Sequence, residues 1–155
     1  MITSTSNSRI KNVIRLNTSS KARREQNAFV AEGIKMFMEA PSCDVSEVFV
    51  SEEYFDKLQN SSPKKDGSCD KDDAYDARNN EILNKLAETG FEIVSKECFK
   101  KMSDTVTPQG ILSVVKKTEY DYAKLIEKKQ RLRILILENV QDPGNLGTMV
   151  RTVRT

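Results

Sequence analysis

The sequence predicts an α/β layered domain over residues 1–117, a polar linker helix over 118–131, and the first strand and helix start of a second α/β domain over 132–155. Three observations carry this reading. Short apolar runs alternate with segments of helical periodicity between Ala28 and Val115, the order of a layered α/β domain rather than a bundle or a sandwich. Residues 59–80 lose nearly all large apolar side chains, which marks an insertion in the first domain. Residues 132–137, Leu-Arg-Ile-Leu-Ile-Leu, are nearly continuously apolar, as expected of a parallel strand covered on both faces.

The elements follow in order. Ile10, Val13 and Ile14 recur at helical spacing with Arg9, Lys11 and Arg15 on the other side, a short amphipathic helix with a basic outer face. A second basic stretch with Lys21, Arg23 and Arg24 leads into residues 28–31, a buried-strand candidate. Gly33 allows a tight strand-to-helix turn, and the helical run with Ile34, Phe37 and Met38 ends before Pro41. Residues 45–50 read as a strand and 52–58 as a short helix. The tract 59–80 is expected to be a disordered surface insertion, because its Ser, Asn, Lys and Asp cannot bury enough surface to offset the entropy of ordering. Ile82, Leu83 and Leu86 mark a helix closed by Gly90, then come a strand over 91–94, a helix over 97–102 and a strand over 110–115. In the linker, Tyr122, Leu125 and Ile126 are the apolar positions.

Composition bounds the function. No apolar run is long enough to span a bilayer, and residues 1–8 lack the basic-then-apolar order of a signal peptide, so no membrane is expected. The net charge of +2 hides an uneven distribution. Residues 1–40 hold seven Lys/Arg against three acids, and residues 100–133 hold nine against four. Either segment is a candidate phosphate-binding face; for any single cluster a solvated helix surface is the simpler account. Cys43, Cys69 and Cys98 are widely spaced and the chain has no His, which argues against zinc or a disulfide framework and for a reducing cytoplasm. Without His, nucleophilic triads and His-metal chemistry are excluded for these residues. Asp70, Asp72, Asp73 and Asp76 lack the glycine and terminal glutamate of a calcium loop, so no metal site is expected.

After the apolar run comes Asn139-Val140-Gln141-Asp142-Pro143-Gly144-Asn145-Leu146-Gly147-Thr148-Met149-Val150-Arg151-Thr152. Strand, Pro/Gly-rich loop and helix start follow in order, with Asn145 as the expected helix cap. The free N–H groups of such a helix start favour an anion, although a purely structural loop has the same composition. Asn145 and Arg151 lie six positions apart, neighbours only if the loop and first turn fold back.

These residues resemble the first signature motif of the SpoU/TrmH-family RNA 2′-O-ribose methyltransferases, in the SPOUT superfamily. Asn139-Val140, Asp142-Pro143, Asn145, Gly147, Met149 and Arg151-Thr152 all stand as in that pattern. Three further stretches resemble the amino-terminal domain of the same family: Ile2-Thr3-Ser4 with Asn7, Ile10 and Lys11; Phe29 followed by Glu32-Gly33; and Ser103-Asp104-Thr105 with Thr107-Pro108-Gln109-Gly110-Ile111.

The resemblance implies a small three-layer α/β/α RNA-binding domain similar to kink-turn-binding ribosomal proteins, joined to a Rossmann-like domain with a trefoil knot. It implies S-adenosylmethionine as methyl donor, rRNA or tRNA as substrate, and a homodimer for the full-length protein. Carried onto this sequence, Asn145 and Arg151 are the catalytic candidates. An arginine side chain stays protonated in water and is a poor base, so the role expected at position 151 is to orient and stabilise charge. Arg9, Lys11, Arg15, Lys21, Arg23, Arg24 and Glu32 are the candidates for RNA contact. The motifs that supply the knot and most cofactor contacts lie beyond Thr155, so no cofactor-binding residue is expected here. The chain is accordingly expected to be a truncated piece that binds RNA but does not methylate it unaided. The rival readings are a non-enzymatic RNA-binding protein of ribosomal-protein-like fold and an unrelated nucleotide-binding α/β enzyme.

Overall fold

The computed structural model describes residues 1–60, 72–127 and 134–153. They form two compact units, Met1–Thr118 and Glu119–Thr155.

The first unit is built on a four-stranded mixed sheet. Its strands are β1 (Ala28–Glu32), β2 (Val45–Ser51), β3 (Glu92–Val94) and β4 (Ile111–Lys116), in the order β1-β4-β2-β3. β4 runs antiparallel to both β1 and β2, whereas β2 and β3 are parallel. Side chains on a strand alternate between faces, and here the alternation separates two cores. Phe49, Val94, Leu112 and Val114 pack with α1 (Ser8–Thr18), α2 (Ser20–Glu25) and α6 (Lys96–Met102) through Ile10, Val13, Leu16, Ala22, Phe99 and Met102. Val48, Val50 and Ile111 face the other way, against α3 (Ile34–Glu39), α4 (Glu52–Asn60) and α5 (Asp72–Thr89) through Phe37, Leu58, Ile82 and Leu86. Helices cover both faces of one sheet, so the unit is three-layered.

Local chemistry sets the helix ends. Asn7 accepts from the Arg9 N–H at 2.9 Å to cap α1, and Ser95 accepts from Cys98 to cap α6. The sequence marks α2 only as a basic stretch. It forms because Ser19 caps it, accepting from the Ala22 N–H at 3.2 Å, and because Ala22 is completely buried. At the other end of α3, the Lys85 ammonium donates to the Met38 and Ala40 carbonyls, which end that helix.

In the extent of its elements the structure differs from the sequence expectation at two places. α5 begins at Asp72, inside the tract expected to be disordered, of which residues 61–71 lie outside the described residues. Asn79, Ile82 and Leu86 are buried at helical spacing, so a buried asparagine continues the face that apolar periodicity alone starts at Ile82. Residues 134–138 are not a strand, and Ile134 and Ile136 are 66% and 85% exposed. A strand of that composition forms by pairing with neighbours under helical cover, and the four strands of the sheet all belong to the first unit. Residues 132 and 133 lie outside the described residues, as do 128–131 of the expected linker helix, whose described part is α7 (Tyr122–Glu127).

Candidate nucleic-acid interface

Because β1 and β4 are antiparallel, the end of β1 and the start of β4 lie at the same edge of the sheet, with Glu32 opposite Leu112. β2 and β3 finish there too: the Ser51 N–H donates to the Gly110 carbonyl at 2.9 Å, and Ser51 pairs with Val94. The amino terminus adds a bridge between Ile2 and Val94. Three stretches far apart in sequence, around Ile2, Glu32 and Ser103 to Gly110, therefore meet at one end of the first unit.

Glu32 is the hub. Its Oε1 accepts from the Ser103 hydroxyl at 2.6 Å and the Thr105 hydroxyl at 2.7 Å, and its Oε2 accepts from the Asp104 N–H at 3.1 Å. Gly33 follows at φ +105° and ψ 154°, a conformation essentially reserved for glycine. Its missing Cβ leaves room for Gln109, whose Oε1 accepts from the Ile34 N–H at 3.1 Å. Nearby, Lys96 is paired with Glu53 at 2.7 Å, and this ammonium holds the Glu53 carboxyl below the usual carboxylate range.

The six basic candidates divide by engagement. Lys11, Arg15, Lys21 and Arg24 are exposed on α1 and α2, where Glu25 meets Arg15 at 3.0 Å and Lys21 at 3.8 Å. Arg23 is half-buried and donates to the Leu16 and Asn17 carbonyls at 2.7 and 2.9 Å, closing the α1–α2 corner. Asn17 in turn donates to the Met102 carbonyl at 2.7 Å, which joins this basic corner to the end of α6 and the loop after it.

Arg9 is structurally committed. Its guanidinium meets Glu47 at 2.6 Å and Glu92 at 2.9 Å and lies 5.2 Å from the centre of the Phe49 ring. The hydrogen bond that Arg9 donates to Glu47 raises its pKa, so the arginine's contribution is fully present at neutral pH and, on the alkaline side, is lost only as pH climbs through the raised value, far above the working range. Arg9→Ala is expected to cost about 1–2 kcal/mol, since two charged hydrogen bonds and a cation–π contact vanish at a partly solvated site. Urea denaturation checks this, and a loss under 0.5 kcal/mol would place the arginine among surface cations of little structural weight.

In the second unit, α8 (Pro143–Val153) carries both catalytic candidates. Asp142, not Asn145, caps it: the Asp142 carboxylate accepts from the Gly144 N–H at 2.9 Å, and its carbonyl accepts from Leu146 at 3.1 Å. Pro143 has no N–H and a fixed φ suited to the first helical position, which moves the helix start two residues ahead of Asn145. Asn139, at φ 54°, turns the chain before this cap. Asn145 and Arg151 thus sit on one unbroken helix, about 9 Å apart along the axis and about 120° around it. They do not meet each other, so a ligand touching both has to bridge them. The Arg151 guanidinium lies along the helix, donating to the Thr148 hydroxyl at 3.3 Å, in space kept open by Gly147. Both side chains are exposed. Among the described residues, 134–153 are exposed apart from the half-buried Val140 and Gly147.

Solved structures share this architecture. An RNA 2′-O ribose methyltransferase matches with a TM-score of 0.53 at 22% identity, over 99% of this chain and 51% of that one. An AdoMet-bound rRNA methyltransferase from Sinorhizobium meliloti matches with a TM-score of 0.56 at 18% identity, over 98% and 49%. At these identities the likeness is one of fold, and it defines the class: a mixed α/β chain built like part of an rRNA methyltransferase. The chain belongs to the MRM3-like substrate binding domain family, which it matches over residues 7–113. It is 39% identical over 75 residues to the human mitochondrial rRNA methyltransferase 3, covering 45% of this chain and 17% of that protein. It is 40% identical over 67 residues to the 23S rRNA (guanosine(2553)-2′-O)-methyltransferase RlmP of Bacillus subtilis, covering 42% of this chain and 25% of that protein. The chain therefore spans a quarter or less of these relatives, and the SpoU-type resemblance read from the sequence is borne out.

Proposed function

We propose that this chain is the RNA substrate-binding domain, with the start of the catalytic domain, of an S-adenosylmethionine-dependent 2′-O-methyltransferase acting on rRNA or tRNA. One observation carries the reading: a substrate-binding domain of the MRM3-like family is followed in the same chain by the asparagine- and arginine-bearing motif of residues 139–152. The first unit supplies recognition. Lys11, Arg15, Lys21 and Arg24 offer exposed cations for phosphate, with Arg9, Arg23 and Glu32 supporting the surface from partly buried positions. Residues 1–117 form the recognition domain, 118–131 the linker and 132–155 the opening of the knotted catalytic domain, in a cytoplasmic homodimer. The recognition domain is similar in kind to kink-turn-binding ribosomal proteins.

The cofactor supplies the methyl group. The roles proposed within this chain concern the RNA alone. Arg151 is a cation at the substrate side of α8, suited to orient a phosphate or the attacking ribose hydroxyl, and Asn145 offers an amide to the same nucleotide.

The test is to incubate the whole protein encoded by the gene with RNA and labelled S-adenosylmethionine and to map the methyl group by resistance to alkaline hydrolysis. A methyl on a ribose 2′-oxygen is the expected product. Methylation of a base, or none, contradicts the proposal.

A further inference from the structure

The loop from Ser103 to Gln109 is tied at both ends and open in the middle. Glu32 holds its first three residues through two hydroxyls and one backbone N–H, and Gln109 fastens its far end to the Ile34 N–H. Between the ties Val106 is 100% exposed, flanked by the exposed Thr105 and Thr107. An apolar side chain left fully in water gains nothing for the fold. The charged hydrogen bonds at Glu32 nevertheless keep that tip in one place. Through Asn17 and Met102 the loop also adjoins the basic α1–α2 corner.

We infer that Glu32 is a positioning residue: it pre-orders the loop so that Thr105, Val106 and Thr107 meet an unpaired nucleotide of a folded RNA, and it makes no phosphate contact of its own. The inference rests on the RNA-binding reading proposed above. A carboxylate set against phosphate would repel it, and this one already accepts three hydrogen bonds from the loop. Unpaired nucleotides expose a flat apolar face together with 2′-hydroxyls and base edges. An apolar tip held beside the exposed Thr107 matches that chemistry, whereas a paired stem offers mainly phosphate and shape. Ordering the loop in advance removes an entropy cost that binding would otherwise bear.

The effect of charge and the effect of order have opposite signs, which makes the test decisive. The probe is a fluorescein-labelled hairpin RNA with an unpaired loop, titrated with the 155-residue chain. Glu32→Ala removes a negative charge, so electrostatics alone predicts tighter binding. Loss of loop order predicts binding weaker by roughly tenfold, with the salt dependence unchanged because no cation is lost. Glu32→Gln keeps an acceptor for the Asp104 N–H and is expected to recover most of the affinity. Without RNA, amide hydrogen exchange over 103–107 is expected to speed up in Glu32→Ala and to stay near the wild-type rate in Glu32→Gln. Should Glu32→Ala not fold, Ser103→Ala cuts one tie from the loop side without altering charge and is expected to weaken binding as well. Equal or tighter binding by Glu32→Ala, or unchanged exchange in the loop, overturns the inference and leaves the RNA-binding reading intact. No binding by the unsubstituted chain overturns both.

Discussion

Replacing Gly110 by alanine is expected to destabilise the first unit by about 2–5 kcal/mol, the sum of a left-handed backbone penalty and an overpacking penalty. Gly110 sits at φ +85° where β4 begins, and its carbonyl is bound to the Ser51 N–H. A Cβ there would run into Tyr54 Cβ and fall 2.8 Å from both Ser51 Oγ and Tyr54 Cγ. Tyr54 Cβ and Cγ are not the free end of a flexible side chain, so relief requires β2 and α4 to move away from the central strand. Gly90→Ala is the control. Its φ is +71° but nothing lies within 4 Å of the added atom, so only the backbone penalty of about 1–2 kcal/mol applies. Urea unfolding of the two variants measures the difference, and equal losses would show that packing at the sheet end is loose. A loss at the upper limit at Gly110 is a large fraction of the roughly 5–15 kcal/mol that holds a domain folded.

Arg151→Ala in the whole protein is expected to reduce methyl transfer to RNA by about 10²- to 10³-fold, the scale seen when one preorganised charge-stabilising donor is removed. The side chain is exposed and donates to the Thr148 hydroxyl on the same helix, so the fold should tolerate the change. Arg151→Lys is expected to restore little, because an ammonium cannot reproduce the planar fork of a guanidinium on a phosphate or ribose. Single-turnover methylation at saturating RNA separates this from a binding defect. Transfer within threefold of the unsubstituted rate would remove Arg151 from the reacting centre.

Most of the first unit was legible because its strands carry strong signals. β2 and β4 each hold a short apolar run, Val48-Phe49-Val50 and Val114-Val115 after Ile111-Leu112, and the alternation of Val48, Phe49 and Val50 between two cores is the pattern of a sheet with helices on both faces. α2 escaped because its one buried residue is an alanine, and the start of α5 escaped because an asparagine stands on its inner face. The apolar run of 132–137 was legible as strand material, but periodicity cannot tell whether a partner strand is present to pair with it. The candidate interface was visible only in pieces. Glu32 and Ile34 lie 71 and 75 residues from their partners Ser103 and Gln109 and meet them because β1 and β4 are antiparallel neighbours. Arg9 read as a surface cation for the same reason, since Glu47 and Glu92 reach it only through the β2–β3 pairing.

The proposed function requires this chain to engage RNA through the basic faces of α1 and α2. The most direct measurement is the affinity of the chain for a structured hairpin RNA as salt is raised. Four exposed cations, Lys11, Arg15, Lys21 and Arg24, predict that log K falls against log salt with a slope of roughly −3, and that Lys11→Ala with Arg24→Ala brings the slope nearer −1.5. No binding at low salt, or binding whose strength does not change with salt, would contradict it.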